Sequence, residues 1–322
     1  MDPNQFVDCF VEAFDKSAVD VFRNWLAGKR QVDKWFISAD FALRDKNRPN
    51  DCFAFTIMPA DFGRDEFKKE VARNLPRDLK DSKSIDAEGV AWLRDDRHFH
   101  IVISMKCDRV FYHWPGMKPR EAIRKGLLEL ADKFAYQPDR SKRFKAAAQK
   151  ASSNNFNVGL FSDLSLLGLY LPLITLFLLR EVKANRVGWL CDRDSMTTYC
   201  DGIVWDYAMI NLAGLAERFA IDGHGLRPDI AGPDRSGATE VMWFDDFVRA
   251  PDWLAGTIAA WDRQSGNLPE NQPKYLNLVQ NLLTDLNNGV ILSAVLEKSG
   301  YSVERLSIGR LPAPEGVPDP TW

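Results

Sequence analysis

Leu164 to Leu179 carries no charged residue and is almost entirely apolar, closed off by Asp163 on one side and Arg180-Glu181 on the other. A helix that is hydrophobic all round has to be covered all round. The run is short for a bilayer span and contains Pro172. It therefore predicts a helix buried in a large core, roughly Asp163 to Lys183. A chain of 322 residues, 45% hydrophobic and with twenty phenylalanines and ten tryptophans, can supply that core as one large domain or two small ones.

Directly after this helix comes Val187-Gly188-Trp189-Leu190-Cys191-Asp192-Arg193-Asp194. It reads as a strand whose carboxyl end carries two aspartates two residues apart. In an extended chain, residues i and i+2 face the same way, so Asp192 and Asp194 are expected side by side. Such a pair suits a hard cation such as Mg²⁺, which takes oxygen ligands. A turn between strand and helix would use the same residues, and the segment alone does not separate the two readings.

Upstream, residues 1–33 read as an N-terminal helical extension. Phe6, Phe10 and Phe14 recur at helical spacing, and Val19 to Trp25 suggests a second helix stopped by Gly28. Lys34 to Leu43 is a first strand carrying Asp40. Cys52 to Met58 is a second, joined to the first through a Pro-Asn-Asp turn as an antiparallel hairpin. Phe62 to Leu75 is an amphipathic helix, and His98 to Met105 a third strand. His98 and His100 share a face there, but no third ligand completes a zinc set, so a surface pair is expected.

Residues 118–155 are a basic insertion. Arg120, Arg124, Lys125, Arg140, Lys142 and Arg143 are the candidate phosphate contacts, because most protein contacts to nucleic acid go to the backbone. An ordinary solvated helix and loop would look the same. The net charge is −3, so any nucleic-acid binding needs such a local patch.

Past the strand at 187, Tyr199 to Ala220 reads as a helix and Ile221 to Ala238 as a Gly/Pro/Asp loop. Thr239 to Phe244 is a short strand ending in Asp245-Asp246. A helix follows with Asp252 in its first turn, where an anion is welcome as a cap. Residues 272–299 predict a final long helix, and Leu311 to Trp322 an irregular tail. The five scattered cysteines and the absence of a signal-like start lead to an expectation of reduced thiols and a cytoplasmic protein, with no membrane association.

The resulting order (three strands, helix, strand, helix, strand, helix) resembles the ribonuclease H-like superfamily, and within it the bacterial "domain of unknown function 3800" family. The resemblance covers residues 34–265. It rests on Asp40 in Phe36-Ile37-Ser38-Ala39-Asp40, on Asp192 and Asp194 after Trp189-Leu190-Cys191, and on Asp252 in Asp252-Trp253-Leu254-Ala255-Gly256. The family's Asp-Glu-Ser-Gly at the first strand is replaced here by Asp40-Phe41-Ala42.

The resemblance implies an α/β fold with a mixed five-stranded sheet flanked by helices, followed by a C-terminal helix and tail over residues 266–322. It also implies a metal-dependent nuclease acting on RNA or DNA. Asp40, Asp192, Asp194 and Asp252 would be catalytic, and Asp40, Asp192 and Asp252 would hold Mg²⁺ or Mn²⁺. Asp163 or Glu181 would be a further acid.

Three other readings stay open. One is an inactive relative that docks a protein partner through its aromatic terminal helices. Another is a haloacid dehalogenase-type phosphatase using Asp192-x-Asp194, although Met196 stands where that motif has threonine. The third is a nucleotide-sugar transferase using the same Asp-x-Asp.

Overall fold

The computed structural model describes residues 3–106, 111, 116–221, 228–231, 242–263, 265–269, 272–284, 286–297 and 300–309. Helices α1 (Pro3–Ser17) and α2 (Val19–Leu26) open the chain. They are followed by the hairpin β1 (Lys34–Ala42) and β2 (Asp51–Pro59), helices α3 (Arg64–Asn74) and α4 (Ala87–Leu93), and β3 (Phe99–Met105). Then come α5 (Pro119–Lys133), α6 (Pro138–Ala151), α7 (Val158–Glu181), β4 (Arg186–Cys191), α8 (Ser195–Thr198), α9 (Ile203–Arg218) and β5 (Asp229–Ala231). The described chain ends with α10 (Arg249–Ala260), α11 (Pro273–Asn277), β6 (Gly289–Glu297) and β7 (Gly300–Leu306).

All seven strands form one mixed sheet in the order β5-β4-β1-β2-β3-β6-β7. β1 pairs antiparallel with β2 and parallel with β4, and β4 pairs parallel with β5. β3 is antiparallel to β2 and parallel to β6, and β7 returns antiparallel to β6.

The sheet separates two cores because alternate residues of a strand face opposite ways. Trp35, Ile37 and Ala39 of β1 join one core, and Phe36 and Ala42 face the other. The first core holds α7, which is buried along nearly its whole length and is the one helix among the described residues long and apolar enough to cross a membrane. Its apolar surround is met by the sheet, by α9 and by the N-terminal helices. Gly168 brings α7 so close to α9 that an added Cβ would lie 3.0 Å from the Cβ of Tyr207. The Phe14 ring stacks on Phe177 at 3.9 Å. The second core lies under α3, α4, α10 and α11.

Three expectations are corrected here. The helix expected over 272–299 does not extend through Gly289–Glu297, which is β6; with β7 (Gly300–Leu306) it makes a seven-stranded sheet in place of five. The apolar residues Val290-Ile291-Leu292 form a buried strand, and such a run has no period that distinguishes it from a buried helix. The strand after α9 is Asp229–Ala231, inside the segment read as a loop. Of the segment expected to be that strand, residues 239–241 lie outside the described residues, and Trp243-Phe244 form a turn. Leu311 to Trp322 also lie outside them.

His98 and His100 are the third correction. They are fully buried, since β6 covers the edge of β3 that would otherwise be open. His100 contacts Thr56 Oγ1 at 3.0 Å and Leu93 O at 2.8 Å, while Nδ1 of His98 has no hydrogen-bond partner. Burial holds both imidazoles neutral, pushing His98 down to about 3 and His100 down to about 4. The unfolded chain takes up these protons near pH 6.5 and the folded one does not, so stability falls as pH drops from about 6.5 toward 4. At about 1.4 kcal/mol per pH unit per proton, His100 alone accounts for roughly 3 kcal/mol. Urea midpoints measured from pH 7 to pH 4.5 are expected to fall, and to fall less steeply in His98→Phe. A pH-independent midpoint would refute the burial argument.

Candidate functional site

Asp40 lies on the second face of β1, in phase with Phe36 and Ser38. Leu190 of β4 faces the same core, so Asp192, two residues on, points the same way. β1 and β4 run parallel with Ala39 opposite Cys191, and the Asp192 amide donates to Ala39 O at 3.4 Å. Asp40 and Asp192 are thereby neighbours at one end of the sheet.

The third acid arrives on α10, which crosses β1 and β2 on this face. The loop between those strands fixes it there. Asn50 Nδ2 donates to Trp261 O at 2.7 Å and Ile258 O at 3.2 Å, and Arg48 Nη1 donates to Gly256 O at 3.1 Å. These donors occupy carbonyls that a helix end leaves without intrahelical partners. At its other end, Asp252 Oδ2 accepts from the Leu79 amide at 2.8 Å, and Trp253 Nε1 donates to Arg77 O at 3.1 Å. Leu79 in turn packs on bare Gly256, where an added Cβ would come within 2.2 Å of it.

The charges in this corner oppose one another. Burial holds the Asp40 carboxyl well above the usual range, reinforced by Asp252 and Asp192; the Phe41 amide, donating at 2.7 Å, works against it. Burial also raises Asp252, with Asp78 and Asp192 adding to it and the Leu79 amide and Arg249 opposing it. Asp192 is raised by desolvation and then by Asp78 and Asp194. Each carboxylate makes ionisation of the next more costly, which a cation would relieve.

Asp78 and Asp245 belong to this acidic field as well. Asp245 is raised by burial and by Asp192, and its Oδ2 accepts from the Met242 amide at 2.7 Å. The sequence offers Asp245 only as half of the acidic pair that closes the expected strand at 239–244, and Asp78 not at all, since nothing in the loop Pro76-Arg77-Asp78 marks its return to the sheet.

Other predicted residues are placed elsewhere. β4 ends at Cys191, so the i, i+2 relation does not hold. Asp194 turns to cap α8, accepting from the Met196 amide at 2.6 Å and Ser195 Oγ at 2.9 Å. Asp163 is on α7, across the sheet, paired with Arg44 at 2.5 Å. Glu181 sits at the end of α7 that leads into the start of β4, opposite the acids, and pairs with Arg23 at 2.9 Å.

The basic insertion forms the hairpin α5–α6, with α6 against α9 on the α7 side of the sheet. Arg140 and Arg143 grip buried Asp206 at 3.0 and 2.5 Å. Arg120 holds Ser153 O and Asn154 Oδ1, and Lys125 lies 3.9 Å from Glu129, leaving Arg124 and Lys142 as solvated charges. None of these residues flanks the carboxylates. The cations that do are Arg48, Arg249, Lys80 and buried Lys274, whose Nζ donates to Ser82 O at 2.7 Å and also to Leu79 O.

By donor chemistry, Asp40, Asp192 and Asp252 fit a hard divalent ion: all are oxygen donors, Asp252 and Asp192 raise the Asp40 carboxyl, and Asp192 raises that of Asp252. By position, no three His, Cys, Asp or Glu side chains among the described residues stand close enough together to hold one. Cys9, Cys52, Cys191 and Cys200 are free thiols. Comparison of the chain with protein-family models, curated proteins and solved structures finds no match in any of the three.

Proposed function

We propose that the chain is a ribonuclease H-like, metal-dependent nuclease that hydrolyses phosphodiester bonds of RNA or DNA at Asp40, Asp192 and Asp252. The observation that carries this reading is the approach of Asp40, Asp192 and Asp252 from β1, β4 and α10 to one corner of the sheet, where Asp252 and Asp192 oppose ionisation of Asp40. A mixed sheet flanked by helices, with β2 alone reversed within the run β5-β4-β1-β2-β3, supports it. Mg²⁺ or Mn²⁺ held by these acids would supply Lewis-acid stabilisation of charge at the phosphate.

The chain's own groups have the remaining tasks. Asp40 is the anchor, fixed by its strand on both sides. The Leu79 amide orients Asp252, and Lys274 orients Leu79 through its carbonyl. Arg48 and Arg249 bring positive charge to a corner that must accept a polyanion.

The rival reading, a nucleic-acid or protein binder without catalysis, draws on a specific observation. No three ligands are assembled, and Asp252 is committed to a backbone amide. Incubating single- and double-stranded RNA and DNA with Mg²⁺ or Mn²⁺ decides between them. Cleavage by the wild type and its loss in Asp192→Asn is expected; equal cleavage by both would remove Asp192 from the mechanism, and no cleavage of any substrate would favour the binder.

A further inference from the structure

A cleft of about 620 Å³ opens on the same face of the sheet, toward the amino ends of β1 and β4. Its floor is Gly188 with Phe36, its walls are Leu190 and Met242, and its rim is Trp243. The floor depends on glycine: a Cβ at position 188 would lie 2.7 Å from the Phe36 ring. Without one, the ring lies against the β4 backbone.

Trp243 is 42% exposed, although indole is among the largest apolar groups available for burial. It stands 6.4 Å from Phe36, 5.9 Å from Phe247 and 5.6 Å from Phe244, so it is braced by aromatic rings beneath while keeping surface free. The guanidinium of Arg64 lies 6.0 Å from its ring centroid. Lys34 adds a second cation to the lining, and Arg186 a third that pairs with Asp229 at 2.7 Å.

The cleft and the acidic corner share one face of the sheet. Leu190 lines it and Asp192 is two residues further along. Met242 lines it, receives the Arg193 side chain at its sulfur (3.5 Å) and gives its amide to Asp245. Phe36 and Asp40 are four residues apart on one strand, about 13 Å at the usual strand rise.

We infer that this cleft seats an unpaired nucleobase of a single-stranded segment whose backbone continues to Asp40 and Asp192. An aromatic-floored cleft with a braced, half-exposed indole and cations at its margin matches a base attached to phosphate. Stacking accepts any of the bases, because each has a π-face. For what happens to the bound strand, the inference rests on the nuclease reading; for binding itself it does not.

The test is the affinity of a single-stranded oligonucleotide carrying 2-aminopurine, as DNA and as RNA, measured by fluorescence in EDTA so that no cleavage occurs. Wild-type binding is expected to alter the emission. Trp243→Ala is expected to weaken binding roughly tenfold or more, with Trp243→Phe recovering most of the loss and far-UV circular dichroism unchanged in both. An abasic substitution in the oligonucleotide should weaken wild-type binding and leave the alanine variant indifferent. Unchanged affinity in Trp243→Ala, or no oligonucleotide binding by the wild type, overturns the inference. Trp243-dependent binding without cleavage under any cation would uphold the cleft and sink the nuclease reading. Cleavage with KM and affinity untouched by Trp243→Ala would do the reverse.

Discussion

On the proposed nuclease reading, Asp40→Asn is expected to reduce cation-dependent cleavage on the order of a thousandfold, the usual scale for removing a group that stabilises transition-state charge, while making the protein melt at a higher temperature. The two effects share one cause. Asp40 sits beside Asp252 and Asp192 in a partly desolvated corner, and its carboxyl is held well above the ordinary range. A group whose folded pKa exceeds its unfolded value retains a proton that the unfolded chain has released. Its contribution is therefore most favourable at acid pH and declines as pH rises through the folded value. At neutral pH the ionised carboxylate is a liability to the fold, and asparagine removes it. A cleavage assay checks the first effect, and differential scanning calorimetry with and without Mn²⁺ the second. The wild type should gain stability from the ion, about 2.7 kcal/mol at a hundred times its Kd, and Asp40→Asn should gain little. A variant that melts below the wild type in the absence of the ion would mean that Asp40 is a structural group.

Phe14→Ala is expected to cost about 3–5 kcal/mol, the range for truncating a buried aromatic side chain. Phe14 is 1% exposed, stacks on Phe177 and meets Phe22 edge-on at 5.8 Å. The alternative role for the N-terminal helices, a docking surface for a partner, requires their aromatic stripe to be free, and surface changes usually lie within ±0.5 kcal/mol. Urea unfolding separates the two outcomes cleanly. The stripe is covered because α7 needs cover: a helix apolar on every side leaves part of its circumference bare unless α1 and α2 close over it. The same helix α1 also packs on β7, where Phe6 meets Tyr301 at 5.4 Å. The two ends of the described chain are thus tied into one core.

How much of this was legible follows from the range of each interaction. β1, β2, β3 and β4, the buried α7 and the helix carrying Asp252 can be read locally, because period and turn residues lie within each segment. β6 cannot, since its apolar run follows Leu276, Leu282 and Leu286 without a change of period that the eye can date. That one omission has a consequence two strands away: with β6 unseen, β3 looks like a sheet edge and His98 and His100 look exposed. β5 is three residues long and lies in a segment rich in glycine, proline and aspartate, so no pattern announces it.

The acids divide along the same line. Asp40, Asp192 and Asp252 are legible because each occupies a fixed place on a strand or a helix start. Asp194 misleads because the i, i+2 argument assumes a strand that continues, whereas β4 stops at Cys191 and a cap takes over. Asp78 is missed because a loop brings it to Asp192 and Asp252 from more than a hundred residues away in sequence. Arg140 and Arg143 look like phosphate contacts until Asp206, on another helix, is seen between them. Charge runs carry no record of their partners.

On the proposed reading, Asp40, Asp192 and Asp252 together form a divalent-cation site. Its most direct test is Mn²⁺ titration followed by electron paramagnetic resonance, in which free ion gives the signal and bound ion loses it. The wild type is expected to bind Mn²⁺ at neutral pH, with affinity falling tenfold or more in Asp40→Asn and in Asp192→Asn. Binding of equal strength in wild type and both variants, or no binding by the wild type, would contradict it.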